Sequence, residues 1–428
     1  MKKVIYVISE HFAPISMISS NRFTKIIKHL VKKGKYEIYV FTRRENLKED
    51  AVLKNECSSL EKHGVKIIRV DAGRHFYSQS GLRWMAYWYW HVAMDRLVGS
   101  DYRTYYEENK ATKRFVKNAI KAINEQNIPR PEVIISTYGE MGGHSLALEL
   151  KERVFKNVYW IADYRDPIYY GVDIPKLRNE YQKFSDLVEA KADKLVMISD
   201  NLATSMGLKE TSKIEVITNG FDSEEYDDAL SDDVLRFSFS GSYYVADMKF
   251  LFKAIRDLIS EGKIEKNRIE INYSGSYGKL YSTHLNDYGL EECLNYWGDL
   301  SRKQSIQIQN MSDVVLLLSR CKHDYEVIPG KMSGSFGCNK PILCFTGGDK
   351  TGSEIARRIE ELHYGYVFEE PNNNVEEEKL KSILIKFYNE KQTNHKISWS
   401  INTEKQLEYE YKTLAAKYDK IITEAIEK

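Results

Sequence analysis

Short runs of consecutive apolar residues alternate along this chain with stretches in which apolar positions recur every three or four residues. Lys3–Ser9 (KVIYVIS) predicts a strand, and a loop with Pro14 and several serines follows it. In Asn21–Lys33, Phe23, Ile26, Ile27, Leu30 and Val31 fall at helical spacing before Gly34. Further strands are predicted at Glu37–Thr42, Val65–Val70, Glu132–Ser136 and Val158–Ala162, with helical segments including Leu146–Phe155 and Pro175–Ala192 between them. A second series starts near Lys213, where KIEVITNGFD reads as strand and turn. Leu235–Ser240, Ile269–Ser274, Asn295–Trp297, Val314–Leu318 and Pro341–Phe345 then alternate with helices such as Met248–Glu261.

Continuous apolar strands alternating with helices predict parallel sheets covered on both faces, because a one-faced sheet would show polar residues at every second position. The expected architecture is α/β, with two doubly wound Rossmann-like domains in tandem. Residues 1–209 form the first and 210–400 the second, with the boundary near Met206–Ser212. Residues 401–428 add an amphipathic helix, Thr403–Glu427, able to cross back to the N-terminal domain. Its stripe is Leu407, Tyr411, Leu414, Ala415, Tyr418 and Ile421.

Composition narrows the function. Lys and Arg total 63 against 62 Asp and Glu, and a net charge of +1 supplies no global field to recruit nucleic acid. The five cysteines, at 57, 293, 321, 338 and 344, form no CxxC and no paired His spacing, which fits a reducing cytoplasm rather than a disulfide framework or a zinc site. The N-terminal apolar stretch is too short for a signal peptide, and no segment approaches an uncharged membrane span.

In open parallel sheets, ligands bind beyond the carboxyl ends of the strands, so two facing sheets make a cleft and their strand-end loops hold the candidates. Glu10–Arg22 (EHFAPISMISSNR) opens a helix, and Ser19, Ser20 and Arg22 suit a phosphate at its N-terminus; an ordinary capped helix is the alternative. WIADYRDP sets Asp163, Arg165 and Asp166 after a buried strand, as site carboxylates or as a structural salt-bridge cluster. His144, in STYGEMGGH, is a candidate catalyst or a packed ring. Gly81–Ser100 concentrates Trp84, Tyr87, Trp88, Tyr89 and Trp90 in one helical segment. It reads either as a buried helix or, over 82–98, as an interfacial helix that brings a lipid-linked acceptor to the cleft at the inner face of the membrane.

The ordered series FAPISMISSNR, STYGEMGGHSLAL, WIADYRDP, KADKLVMISDNL, IEVITNGFD, FSFSG and EVIPGKMSGSFGCNKPIL resembles the retaining glycosyltransferases of family 4, over residues 3 to about 370. The resemblance implies the GT-B architecture, with a nucleotide-sugar donor, UDP-linked by preference, on the C-terminal domain. A glycan or lipid-linked acceptor belongs on the N-terminal one, as in polysaccharide biosynthesis. By the same resemblance Glu326 contacts the donor sugar, Lys331 stabilises the departing diphosphate, Gly241 and Ser242 make the backbone contact to the nucleotide, and Asn219 with Gly220 matches the NG turn at the hinge beside it. Lys249, downstream of the glycine loop, is a second candidate cation for the nucleotide or a solvated helix lysine. His144, Asp163 and Asp166 line the acceptor side. The second signature glutamate is replaced by Gly334, with Glu354 as a candidate substitute. No Asp-x-Asp motif stands where the family would use one, so no metal and no other cofactor is expected. A non-catalytic nucleotide-sugar-binding protein and a nucleotide-sugar epimerase are the alternatives.

Overall fold

The structure, a computed structural model, describes residues 2–15, 18–44, 49–73, 82–168, 172, 174–226, 230–241, 245–322 and 326–427. It divides into two compact units, Met1–Thr218 with Tyr411–Lys428, and Asn219–Glu410.

The first unit is built on seven strands: β1 (Lys3–Ile8), β2 (Tyr36–Arg43), β3 (Lys66–Val70), β4 (Val133–Thr137), β5 (Tyr159–Tyr164), β6 (Lys194–Met197) and β7 (Ile214–Val216). They pair in the order β3-β2-β1-β4-β5-β6-β7, all parallel, with Ile5 opposite both Ile38 and Val133. Alternation along β1 shows why its run is continuously apolar. Val4, Tyr6 and Ile8 enter one core with Phe115, Ala119 and Leu146, while Ile5 and Val7 enter another with Phe23, Ile26, Ile27 and Leu30. Both faces are therefore covered, and each fully buried aliphatic or aromatic side chain contributes about 1.5–3 kcal/mol.

The second unit carries β8 (Leu235–Ser240), β9 (Ile269–Ser274), β10 (Leu294–Tyr296), β11 (Val314–Cys321), β12 (Glu326–Val327), β13 (Ile342–Gly348) and β14 (Gly365–Glu369). The order is β10-β9-β8-β11-β13-β14, again parallel, with the short β12 antiparallel on β11. Counted within each unit, six strands repeat the pattern 3-2-1-4-5-6, in which the order reverses beside the first strand. Leu316 and Leu318 face Leu251, Phe252 and Leu384; Val315 and Leu317 face Met332, Phe336, Ile355 and Ile359.

Two differences from the sequence reading are informative. Ile214–Val216 is the last strand of the first sheet, not the first of the second, because it pairs with Leu195–Met197; the chain passes between units at Thr218–Asn219. The expected terminal helix is two helices, Thr403–Leu407 and Tyr411–Glu427. Between them, Tyr409 accepts the amide of Phe221 through its carbonyl, leaving Leu407 exposed. Tyr411–Glu427 belongs to the first unit, where Leu414, Ala415, Tyr418, Ile421 and Ile422 complete the core under the helix Ile18–Val31.

Candidate functional site

In the first unit, four of the expected phosphate and acceptor residues, Ser20, Arg22, His144 and Asp163, are drawn into the interior. Arg22, on the helix Ile18–Val31, is fully buried. Its guanidinium donates to Asp163 Oδ2 at 2.9 Å, the Ile217 carbonyl at 2.8 Å, the Tyr418 hydroxyl at 3.3 Å and the Thr218 carbonyl. Asp163, on β5, also accepts from Thr137 Oγ1 at 2.9 Å and from Tyr418 Oη at 2.6 Å. Burial works against the charge of Arg22, yet Asp163 and then Tyr418 more than offset it and raise its pKa above the ordinary value. The pair ties the first helix, the central sheet and the last helix together, the structural reading of this cluster, and the guanidinium is not presented to a phosphate. Ser20 is likewise buried, and the side chain of Ser19 lies outside the described residues.

His144, on the helix Met141–Glu149, is also fully buried rather than on a surface facing a ligand. Its Nδ1 lies 2.7 Å from Ser136 Oγ, which accepts from Trp160 Nε1 at 2.7 Å, and its ring meets Tyr164 edge-on at 4.7 Å. Burial pushes its pKa down to about 3, so the imidazole is neutral at pH 7. Asp166 is exposed, and Arg165 beside it donates to the Tyr138 carbonyl through Nε at 3.1 Å and Nη2 at 2.6 Å.

The strand ends of this unit instead assemble residues that the sequence reading missed. Buried Arg43, at the end of β2, pairs with Glu10 and, at 2.5 Å, with Glu140. Glu10 also accepts the Gly143 amide at 3.0 Å. Burial raises its pKa despite Arg43. A Cβ on Gly142 would collide with the same carboxylate, so glycine there admits it. His11 lies 3.6 Å from Glu140. The signal was present: Glu10 and Glu140 each follow a predicted strand by one or a few residues.

In the second unit, the turn after β8 and the segment 326–334 do come together. Lys331 Nζ donates to the Ser240 carbonyl at 2.5 Å. Gly241, with φ of +136°, occupies a backbone region that side chains rarely adopt, and a Cβ there would strike the lysine ammonium. Although the lysine as a whole is exposed, its ammonium is tucked into this turn, and desolvation pushes its pKa down to about 8. Ser242 lies outside the described residues. Asn219 is buried at the start of the unit, and Lys249 is exposed on the helix Val245–Ser260.

Glu326 has a role the sequence did not suggest: its two oxygens accept the amides of Glu354 at 2.9 Å and Ile355 at 3.0 Å, satisfying the N-terminus of the helix Glu354–Glu361. Glu369 accepts those of Gly352 and Ser353, each at 2.9 Å. Glu354 is buried and paired with Arg358 one turn on, so it does not stand in for the glutamate missing at position 334. At Gly334 the carbonyl accepts from Tyr226 Oη at 2.6 Å, and a Cβ would find only that hydroxyl, at 3.6 Å.

No protein-family model matches the sequence, and no curated protein matches it. Solved structures do. The chain is similar to the sucrose-phosphate synthase of Thermosynechococcus elongatus, with a TM-score of 0.63 and 12% identity over 99% of each chain. It is similar to the apo form of the lipopolysaccharide outer core galactosyltransferase WaaB, with a TM-score of 0.57 and 11% identity over 98% of this chain and 99% of that one. A UDP co-structure of MnaA from S. aureus matches with a TM-score of 0.50 and 12% identity over 98% and 95% of the chains. At these identities the likeness speaks for the fold: two parallel-sheet α/β domains of the GT-B class.

Proposed function

We propose that the protein is a glycosyltransferase that moves a sugar from a nucleotide diphosphate donor, UDP-linked by preference, to a glycan or lipid-linked acceptor with retention of configuration. The observation that carries this reading is Lys331 at the turn after β8. A cation held at the carboxyl end of a central parallel strand, beside a glycine that lets backbone approach, suits a diphosphate. The fold shared with a galactosyltransferase and with a protein solved with UDP supports the donor class.

In the proposed reaction the bond between the anomeric carbon and the diphosphate oxygen breaks, and the acceptor hydroxyl forms its bond on the same face. Its proton passes to the departing phosphate. Lys331 offsets the charge that accumulates on the leaving group, a task that calls for no metal in this reading. Retention rests on the family 4 resemblance. Gly334 favours one competing reading, a nucleotide-sugar-binding protein without turnover, since it offers no carboxylate to the ribose.

The acceptor side carries a membrane reading as well. On the helix Leu82–Val98, Trp88 is 42% exposed, Tyr89 63% and Trp90 41%, as an interfacial helix would be. No described helix is long and apolar enough to cross a membrane. Vesicle co-sedimentation tests this contact: Trp88→Ser with Trp90→Ser weakens it, and binding unchanged by that pair refutes it.

Incubation with a panel of UDP- and GDP-sugars, with product analysis by mass and by anomeric NMR, tests the main reading. Release of UDP with a new α-linked product from an α-donor is expected. Tight UDP binding without turnover on any acceptor selects the competing reading.

A further inference from the structure

The first unit contains a cavity of about 740 Å³ at the carboxyl ends of β2 and β4, a size suited to one or two sugar rings. Helices Leu82–Val98, Ser100–Glu125 and Pro175–Lys191 wall it, with Tyr87 and Trp88 on one side and Tyr181 on another. Flat aromatic faces suit the C–H faces of sugars.

Its charge is lopsided. Among the described residues, five carboxylates, Asp95, Asp101, Glu107, Glu108 and Glu140, line it against two arginines, 43 and 103. Both arginines are already engaged twice, Arg43 by Glu10 and Glu140, and Arg103 by Asp95 at 2.6 Å and Glu107 at 3.2 Å. His91 faces Glu107 at 3.0 Å, and burial lowers its pKa, so it adds little positive charge near neutral pH. Among the described residues Asp101 carries no ion pair. Glu108 is held by neutral donors, the Tyr181 hydroxyl at 2.7 Å and the Met141 amide at 3.0 Å. Desolvation raises the pKa of Glu108.

We infer that this cavity receives a sugar ring bearing hydroxyls or an ammonium group, and rejects one bearing phosphate or carboxylate. A phosphate placed here meets carboxylates and, among the described residues, finds no lining arginine that is not already bridging two of them, whereas hydroxyl and ammonium donors find Asp101 as an acceptor. This deepens the transferase reading and rests on it for the name acceptor. A lipid-linked acceptor would enter by its terminal sugar, with its phosphates kept outside.

Calorimetric titration of the full chain with three probes tests the inference: cellobiose, its amino analogue chitobiose in deacetylated form, and glucose 6-phosphate. The amino sugar should bind tightest, about fivefold over cellobiose at low salt, with that margin shrinking as salt is added, and the phosphate should not bind. Asp101→Asn, a change at a partly exposed position that removes the charge and keeps an acceptor oxygen, should erase the margin by weakening the amino sugar more than cellobiose. Phosphate binding as tight as the neutral sugar's, no binding by any of the three, or an amino-sugar margin that survives Asp101→Asn overturns the inference. Failure of the transferase reading shows separately, as an intact binding order with no transfer from any nucleotide sugar.

Discussion

The two units use one strand order and treat charge at their strand ends in opposite ways. In the first, the helix after β1 brings Arg22 inward, where Asp163, two backbone carbonyls and Tyr418 consume its hydrogen-bonding capacity. In the second, Lys331 makes one main-chain contact at the turn after β8, and desolvation leaves its pKa low. A charged side chain beyond a parallel strand is therefore a weak sign of a binding site until its internal partners are counted. Buried pairs are costly to break, and a cation with a single neutral partner is ready for an anion.

Breaking the first arrangement gives the largest expected effect. Asp163→Ala leaves the Arg22 charge buried with only neutral acceptors and should cost about 3–5 kcal/mol, seen as a lower denaturation midpoint. A stable variant that loses only transfer would move Asp163 back to the reaction and erase the contrast between units.

Lys331→Ala should act the other way, lowering kcat/KM at least tenfold, or ~1.4 kcal/mol, with the melting temperature nearly unchanged. Its folded pKa of about 8 lies below the ordinary lysine value, so the free protein loses this charge as pH rises through about 8. Donor-dependent kcat/KM should fall above that pH, and Lys331→Arg should flatten the profile. A profile identical in wild type and arginine variant would take Lys331 out of the donor site.

The smallest expected effect sharpens the comparison. Since a Cβ at position 334 meets only Tyr226 Oη at 3.6 Å, Gly334→Glu should fold and tighten UDP a few-fold by adding a charge-assisted acceptor for the ribose. Weaker UDP binding by a folded variant would mean that the ribose does not approach this turn.

Much of the fold was legible because parallel strands buried on both faces read as unbroken apolar runs, as KVIYVI and EVIIS do. The boundary was set too early: starting the second series near Lys213 gave IEVIT to the second domain, while pairing of Ile214–Val216 with Leu195–Met197 assigns that strand to the first, and the units divide beside the turn Asn219–Gly220. The long helices Ser100–Glu125 and Asn373–Asn394 are rich in charge, with narrow apolar faces, and did not stand out. At the site, Lys331 and Gly241 were found by motif. The Arg22–Asp163 pair spans 141 positions and Arg22–Tyr418 spans 396, and no local pattern carries such partnerships. Glu326 was read as a sugar contact from the family resemblance; its bonds to the Glu354 and Ile355 amides were not legible, because those amides need an acceptor only once the helix is formed.

The discontinuity of the first unit has a consequence for synthesis. Residues to Thr218 emerge first, but Leu414, Tyr418 and Ile422, which cover the apolar side of Phe23 and Ile27, are made only after the whole of Asn219–Glu410. At roughly 5–20 residues per second the interval is about 10–40 s. Throughout it the Tyr418 hydroxyl that bonds Arg22 and Asp163 in the finished fold has yet to be made, and Phe23 and Ile27 lack the side chains that cover them. Its final closure is thus timed by translation, and a pause late in the message would prolong the stage at which the chain is most prone to aggregate.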